Sequence, residues 1–283
     1  MLVEATIAVS DSTQHAGHEE NVGQAIIAHV SNSSEWHLPF LHLHLPHFPP
    51  VNLFGIEIDL SISNHVIMMW IASLLLLFIF TQLYDRRRKV PSGITALLET
   101  LILFVRDEIA IPNMGRETGR RLTPLILSFF FFILTMNLMG LIPLFTTATA
   151  NISVTAGLAL VSFFVMIAQG MRENGVFGYL KSLVPQGIPV VFAPLMFLVE
   201  FIGLFTKPFA LAVRLFANMT AGHVVILSFI SLIIVFKTVL MSPISVAFAL
   251  FINVLEILVA FIQAYIFSLL SAMFIGMAAH PSH

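Results

Sequence analysis

Seven side chains in the C-terminal third of the chain have types and spacing suited to moving charge: Glu200, Lys207, Arg214, Asn218, His223, Glu256 and Gln263. All lie in stretches otherwise built from Val, Ile, Leu, Phe, Ala and Met. An ionisable group at bilayer depth costs at least ~2.5–3.5 kcal/mol on insertion scales, so retaining several points to use rather than tolerance. Arg214 cannot lose its proton there and acts only as a fixed positive charge. His223 and Glu256 can both titrate, and each shifts the proton affinity of the other. Asn218 and Gln263 can orient water or the guanidinium. Such a set suits ion conduction beside a fixed cation and calls for no nucleophile, cofactor or metal centre.

Spacing tells how these groups must be carried. Glu200, Lys207 and Arg214 recur every seven residues, with Asn218 four beyond. At helical pitch the four fall within about 80° of one another, on a single stripe. Glu200 and Lys207 on that stripe can equally form an internal ion pair. His223 lies a half-turn away from Arg214 and faces a different neighbour, while Leu211 and Ala221 are expected on the face offered to a partner. Glu256 and Gln263 are again seven apart. An antiparallel hairpin turning near Val239 makes His223 level with Glu256 and Arg214 level with Gln263. Two polar pairs thus agree on one register.

The elements that must hold this hairpin are membrane helices. Of 283 residues, 58% are hydrophobic and only 10% charged, with mean hydropathy +0.96. A soluble domain is about 25% charged, and the long apolar runs lack the alternation of a membrane barrel. There is no cysteine, so disulfide and thiolate chemistry are excluded. Residues 1–60 read as a polar, histidine-bearing tail with no basic signal-peptide start, and residues 61–283 as the membrane domain. His42, His44 and His47 lack carboxylate or cysteine partners and read as ordinary loop residues rather than metal ligands.

A first span over His65–Tyr84 ends in the basic run DRRRK (85–89), which places that end in the cytoplasm and the N-terminus outside. Residues 92–110, with Ser92 as N-cap, are expected to form an amphipathic helix lying at the cytoplasmic interface. Thr123–Phe145 and Ile152–Gly170 form a hairpin about the uncharged turn TTATAN (146–151), followed by a cytoplasmic connection over 171–187. Pro124 is expected near the helix start and Pro143 near its end, and the amides of Asn137 and Gln169 are expected to bond between helices. Val190–Phe236 as one helix measures about 70 Å at ~1.5 Å per residue, which implies strong tilt, with Pro194 and Pro208 as bend points. Ile244–Ala279 returns as a second overlong helix. The fold class is all-α membrane protein, with about five spans, one interfacial helix and a C-terminal tilted hairpin.

With these residues in place, KPFALAVRLFANMTAGH (207–223) followed by LEILVAFIQAYIF (255–267) resembles subunit a of F-type ATP synthases. The resemblance spans the last ~220 residues in helix order. Its arginine falls on Arg214, its asparagine on Asn218, its glutamine on Gln263 and its cytoplasmic-side glutamate on Glu200. Ala217 stands where many bacterial members have glycine. His223 and Glu256 exchange the residue types of the familiar bacterial pattern and resemble the mitochondrial arrangement. The resemblance implies a stator subunit of a bacterial inner membrane, with its C-terminus cytoplasmic. It implies a ring of c subunits and peripheral-stalk b subunits as partners, and protons as the translocated ion. Protons would enter past His223 and Glu256 and leave past Glu200, with Arg214 between two half-channels.

Two other classes compete. A secondary transporter or channel usually shows repeated halves with paired broken helices, whereas the Arg214 segment occurs once. A membrane hydrolase needs a Ser/His dyad, an aspartate pair or an HExxH motif, none of which stands in the spans.

Overall fold

The computed structural model describes residues 35–38, 41–44, 51–53, 56–58, 63–83, 93–142, 147–183, 189, 192–236 and 241–280. The expected N-cap Ser92, the basic run 85–89, Pro143 and His47 lie outside them. Two short antiparallel hairpins come first, β1 (Glu35–Leu38) with β2 (Leu41–His44) and β3 (Val51–Leu53) with β4 (Ile56–Ile58). The proline-rich segment that cannot sustain a helix thus carries extended pairs instead. Among the described residues, every later element is helical.

Helix α1 (Asn64–Phe78) continues as a π-helical turn over Ile79–Leu83. Helix α2 (Ile94–Phe104) runs through a π-helical stretch (Val105–Ala110) into the short α3 (Ile111–Met114). On this segment Arg106 and Asp107 form an exposed two-bond pair at 2.7 and 2.9 Å, and the Arg106 guanidinium holds the Asp107 carboxyl below its ordinary value. Gly115, at φ 78°, reverses the chain. Gly119 then packs against the α3 backbone, where an added Cβ would lie 2.9 Å from the Ile111 Cα.

Helix α4 (Arg116–Gly140) starts earlier than its apolar run, so Pro124 lies inside the helix rather than at its start. Helix α5 (Ile152–Ser182) also outruns its expected end at Gly170. Capped by Asn151 accepting from the Ser153 N–H at 2.8 Å, it breaks at Gly175 (φ 70°, ψ 164°) and resumes through the segment expected to be a plain connection. Helix α6 (Ala193–Phe236, 44 residues) and helix α7 (Met241–Ala279, 39 residues) are the long pair. Pro194 sits in the first turn of α6, where its missing N–H costs nothing, so it starts the helix and does not bend it. Pro208 lies within α6 and the helix runs on through it.

Five helices among the described residues are long and apolar enough to cross a bilayer: Asn64–Gln82, Arg116–Gly140, Ile152–Ser182, Ala193–Phe229 and Ser245–Ala279. The chain is an all-α membrane protein in its spanning part. Helix α7 is the hub, packed against α4, α5 and α6. Phe129 and Phe267 meet edge-on at 5.4 Å between α4 and α7, a contact worth about 0.5–1.5 kcal/mol beyond burial. The far end of α7 is pinned by Asn174, which donates to the carbonyls of Ala278 and Ala279 at 3.2 and 3.1 Å. Gly276 presses so closely on Asn113 that a Cβ there would sit 1.9 Å from the Asn113 carbonyl oxygen.

Candidate functional site

The α6 stripe divides into three parts. At its N-terminal end the Lys207 ammonium lies 3.3 Å from the Glu200 carboxylate and 5.9 Å from the centre of the Phe274 ring on α7. These two charges therefore form an internal ion pair. In the middle, Arg214 is exposed, and among the described residues it makes no hydrogen bond or ion pair. Ala210, Ala217 and Ala221 are exposed on the same face, at helical spacing on either side of it. Leu211, expected on that face, is instead 2% exposed and packed in the core, because it lies about 60° round α6 from Arg214 on the side away from Ala210, Ala217 and Ala221.

Asn218 begins the third part. Its amide nitrogen donates to the Gln263 side-chain oxygen on α7 at 2.8 Å. One turn further, Gly222 leaves room for the Glu256 carboxylate: an added Cβ would be 2.1 Å from Glu256 Oε1 and 2.8 Å from its Cδ. Both contacts agree with a hairpin turning near Val239. Two details differ from expectation. Gln263 serves Asn218 rather than Arg214. No hydrogen bond joins His223 to Glu256, whose two carboxylate oxygens are buried without a hydrogen-bond partner. The helix explains the split: Gly222 faces α7, and His223, about 100° further round, faces the turn between α4 and α5.

That turn folds into the bundle. Thr147, the 3-10 turn Ala148–Ala150 and their neighbours pack between α1, α4, α5 and α6. Thr147 Oγ1 meets His223 Nε2 and also donates to the Gly140 carbonyl at 3.4 Å. Thr149, fully buried, donates to the Asn137 side-chain oxygen at 2.8 Å. The Asn137 amide in turn reaches the Ala260 carbonyl on α7 at 3.4 Å. Gln169 bonds across helices as expected, accepting from Arg121 on α4 at 2.7 Å, and within α5 it donates to Glu173 at 2.6 Å.

The family model described as ATP synthase A chain matches residues 66–276, a range that holds the whole of this constellation. The chain belongs to that family. It is 49% identical over 263 residues to ATP synthase subunit a of Chloroherpeton thalassium, covering 91% of this chain and 77% of the relative. It is 47% identical over 271 residues to ATP synthase subunit a 2 of Chlorobium luteolum, covering 93% and 78%. Subunit a of Myxococcus xanthus is 45% identical over 267 residues, covering 90% of this chain and 87% of the relative.

Among the described residues, buried polar atoms with no hydrogen-bond partner fall on both sides of the Asn218–Gln263 bond. Toward the α6–α7 turn are Glu256, Thr220 Oγ1, Ser245 Oγ and, on α1, His65 Nδ1; toward the other end are the hydroxyls of Ser268 and Ser271. Buried polar atoms are normally satisfied by protein or water, so both sets are suited to a hydrated path. No group of three or more potential metal ligands occurs among the described residues. A cavity of about 500 Å³ lined by Arg116, Glu117, Arg120 and Arg121 lies apart from the constellation, at the start of α4. Sequence reading missed Thr147, Thr149, His65, Gly222, Ser268 and Ser271. Only the turn carried a signal: TTATAN lacks the charges of a water-exposed loop while keeping three hydroxyls.

Proposed function

We propose that this chain is the stator subunit a of an F-type ATP synthase and forms two offset proton half-channels against a rotating ring of c subunits. The observation that carries the proposal is Arg214 itself. Near the middle of a 37-residue apolar span, its guanidinium is exposed and has no hydrogen-bond or ion-pair partner among the described residues. A cation so placed is costly, and the cost is offset when an acid from another chain comes within ion-pairing distance. The small residues Ala210, Ala217 and Ala221 allow another helix to approach closely. A c-ring helix bearing a mid-membrane carboxylate fits both features.

On this reading protons enter from outside among His223, Glu256 and the hydroxyls near the α6–α7 turn, and load a ring carboxylate. After nearly a full revolution they leave toward the cytoplasm along Ser268, Ser271 and Glu200. Arg214 attracts the arriving carboxylate in its ionised form and blocks a direct leak between the halves. Asn218 and Gln263, bonded to each other, brace α6 against α7 at that level. The ion pair with Lys207 leaves Glu200 available at the exit only when the pair opens. Each proton that crosses releases ~2.3 kcal/mol per 100 mV, delivered as rotation; ATP chemistry takes place in other subunits, so the chain is no enzyme alone. The b subunits as stalk partners, the bacterial inner membrane, the outward N-terminus, and a tail over 1–60 ahead of a membrane domain over 61–283 belong to the same proposal.

The test is Arg214→Ala in the assembled complex. Proton-driven ATP synthesis should be lost while the subunit remains in the complex at normal amounts. Substantial synthesis by that variant rules the proposal out. A channel or transporter acting alone is the competing reading, and proton or solute flux by the purified chain in liposomes without the ring would favour it.

A further inference from the structure

His65 lies on α1, off the α6–α7 hairpin that carries the charged groups, and is buried to 2% exposure in the helix's first turn. Its ring makes a hydrogen bond to the backbone of Thr147, while Nδ1 is buried with no hydrogen-bond partner. That leaves Nε2–H as the donor to the Thr147 carbonyl, which holds the neutral ring with Nδ1 as the free base. Thr147 is the residue whose hydroxyl meets His223. One inward-folded threonine is therefore flanked by two histidines, one on its carbonyl and one on its hydroxyl. A buried imidazole kept in a single tautomer with its basic nitrogen unengaged is poorly explained by packing alone, since a buried polar atom left unsatisfied costs about 1–3 kcal/mol.

We propose that His65 is a proton-carrying residue of the outer half-channel, passing protons to His223 and Glu256 around Thr147. The inference rests on the reading of this chain as a proton-path subunit. The transfer balances simply. Nδ1 accepts a proton from water on the outer side, the ring becomes an imidazolium, and the same N–H bond then breaks to water beside the Thr147 hydroxyl and His223. The Nε2–H bond to the Thr147 carbonyl is retained throughout, and nothing is oxidised or reduced. The elements packed against α1 are α4 and the 147–150 turn. The titratable groups of α4 (Arg116, Glu117, Arg120 and Arg121) lie at its opposite end, and the turn has none. Across Thr147 the titratable groups are His223 and Glu256. Among the described residues no fixed charge competes with His65 for its proton.

The experiment uses the complete ATP synthase in sealed vesicles and measures proton-driven ATP synthesis as the pH on the outer side is varied across ~5–8, the range in which imidazole changes charge. Three variants separate the roles. His65→Gln keeps a donor for the Thr147 carbonyl but cannot titrate; it should lose at least about tenfold in rate, as expected for a displaced acid–base group, and should lose the wild-type dependence on outer pH. His65→Ala should behave the same way, or fail to assemble, in which case Gln decides. His65→Glu restores a titratable group and should recover rate with its pH dependence displaced to lower values. Full activity with an unchanged pH profile in His65→Gln would overturn the inference, as would a His65→Glu variant that assembles with no recovery. His223→Ala and Glu256→Ala are measured alongside. If these also conduct normally, the parent reading of the proton path fails, independently of His65.

Discussion

Gly222→Ala is the perturbation whose consequence is most closely set by the geometry. The added Cβ would lie 2.1 Å from Glu256 Oε1, 2.8 Å from Cδ and 3.1 Å from Cγ. Ordinary contact needs about 3.4 Å or more between such atoms, so the carboxylate must retreat by roughly 1.3 Å. Backbone displacement in a packed core costs about 1–3 kcal/mol. Here the clashing atoms end a flexible side chain, so Glu256 turns aside and the helices stay where they are. The variant should assemble normally. Its proton-driven ATP synthesis should fall by about 10- to 100-fold, because a displacement near 1 Å at a reacting group can cost ~10²-fold. Glu256→Asp shortens the side chain by one methylene and withdraws the carboxyl from the new methyl group. The double variant Gly222→Ala with Glu256→Asp should therefore be more active than Gly222→Ala alone. The assay is ATP synthesis in inverted vesicles under an imposed proton gradient, with subunit content checked in the same preparation. Wild-type rates in Gly222→Ala, or a double variant no better than the single, would refute the placement of Glu256 in the Gly222 gap.

Other perturbations probe the remaining features. A cysteine at Ala221 should cross-link to a cysteine on the c-ring, whereas one at Leu211, buried at 2% exposure, should not; efficient linking at Leu211 would reverse the assigned face. Thr149→Val leaves the Asn137 side-chain oxygen without its donor and should destabilise the bundle by about 1–3 kcal/mol. Thermal disassembly of the complex at a lower temperature is the readout, and an unchanged midpoint would count against that bond. Lys207→Met with Glu200→Gln should change assembly little, since the pair is part-exposed and such pairs are worth about 0–1 kcal/mol.

The long features of the fold were readable because they rest on length and hydropathy. Five spans, the overlong α6 and α7, and the position of their turn all follow from where apolar residues run and stop. Helix ends were less readable. Apolar pattern alone hides α4's start at Arg116, since its first turn is charged, and hides α5 beyond Gly170, where a glycine break at Gly175 lets a polar helix continue. The charged residues of the site were legible because each is costly in an apolar stretch, and the hairpin register followed from two polar pairs. What the register left open was direction around the helix: one residue, from Gly222 to His223, separates facing α7 from facing Thr147. Gly222 contributes through contact and costs little in a membrane helix, so composition does not single it out, and the uncharged TTATAN turn marks a segment without singling out Thr147. His65 stood at the edge of the first span, where a histidine is unremarkable until its burial is seen.

A side-chain-resolved structure of the intact complex tests the role of Arg214 most directly. The expected result is a c-subunit helix seated along Ala210, Ala217 and Ala221, with a ring carboxylate able to come within about 4 Å of the Arg214 guanidinium during rotation. A guanidinium directed instead into lipid headgroups or bulk water, with no ring helix along that face, would contradict it.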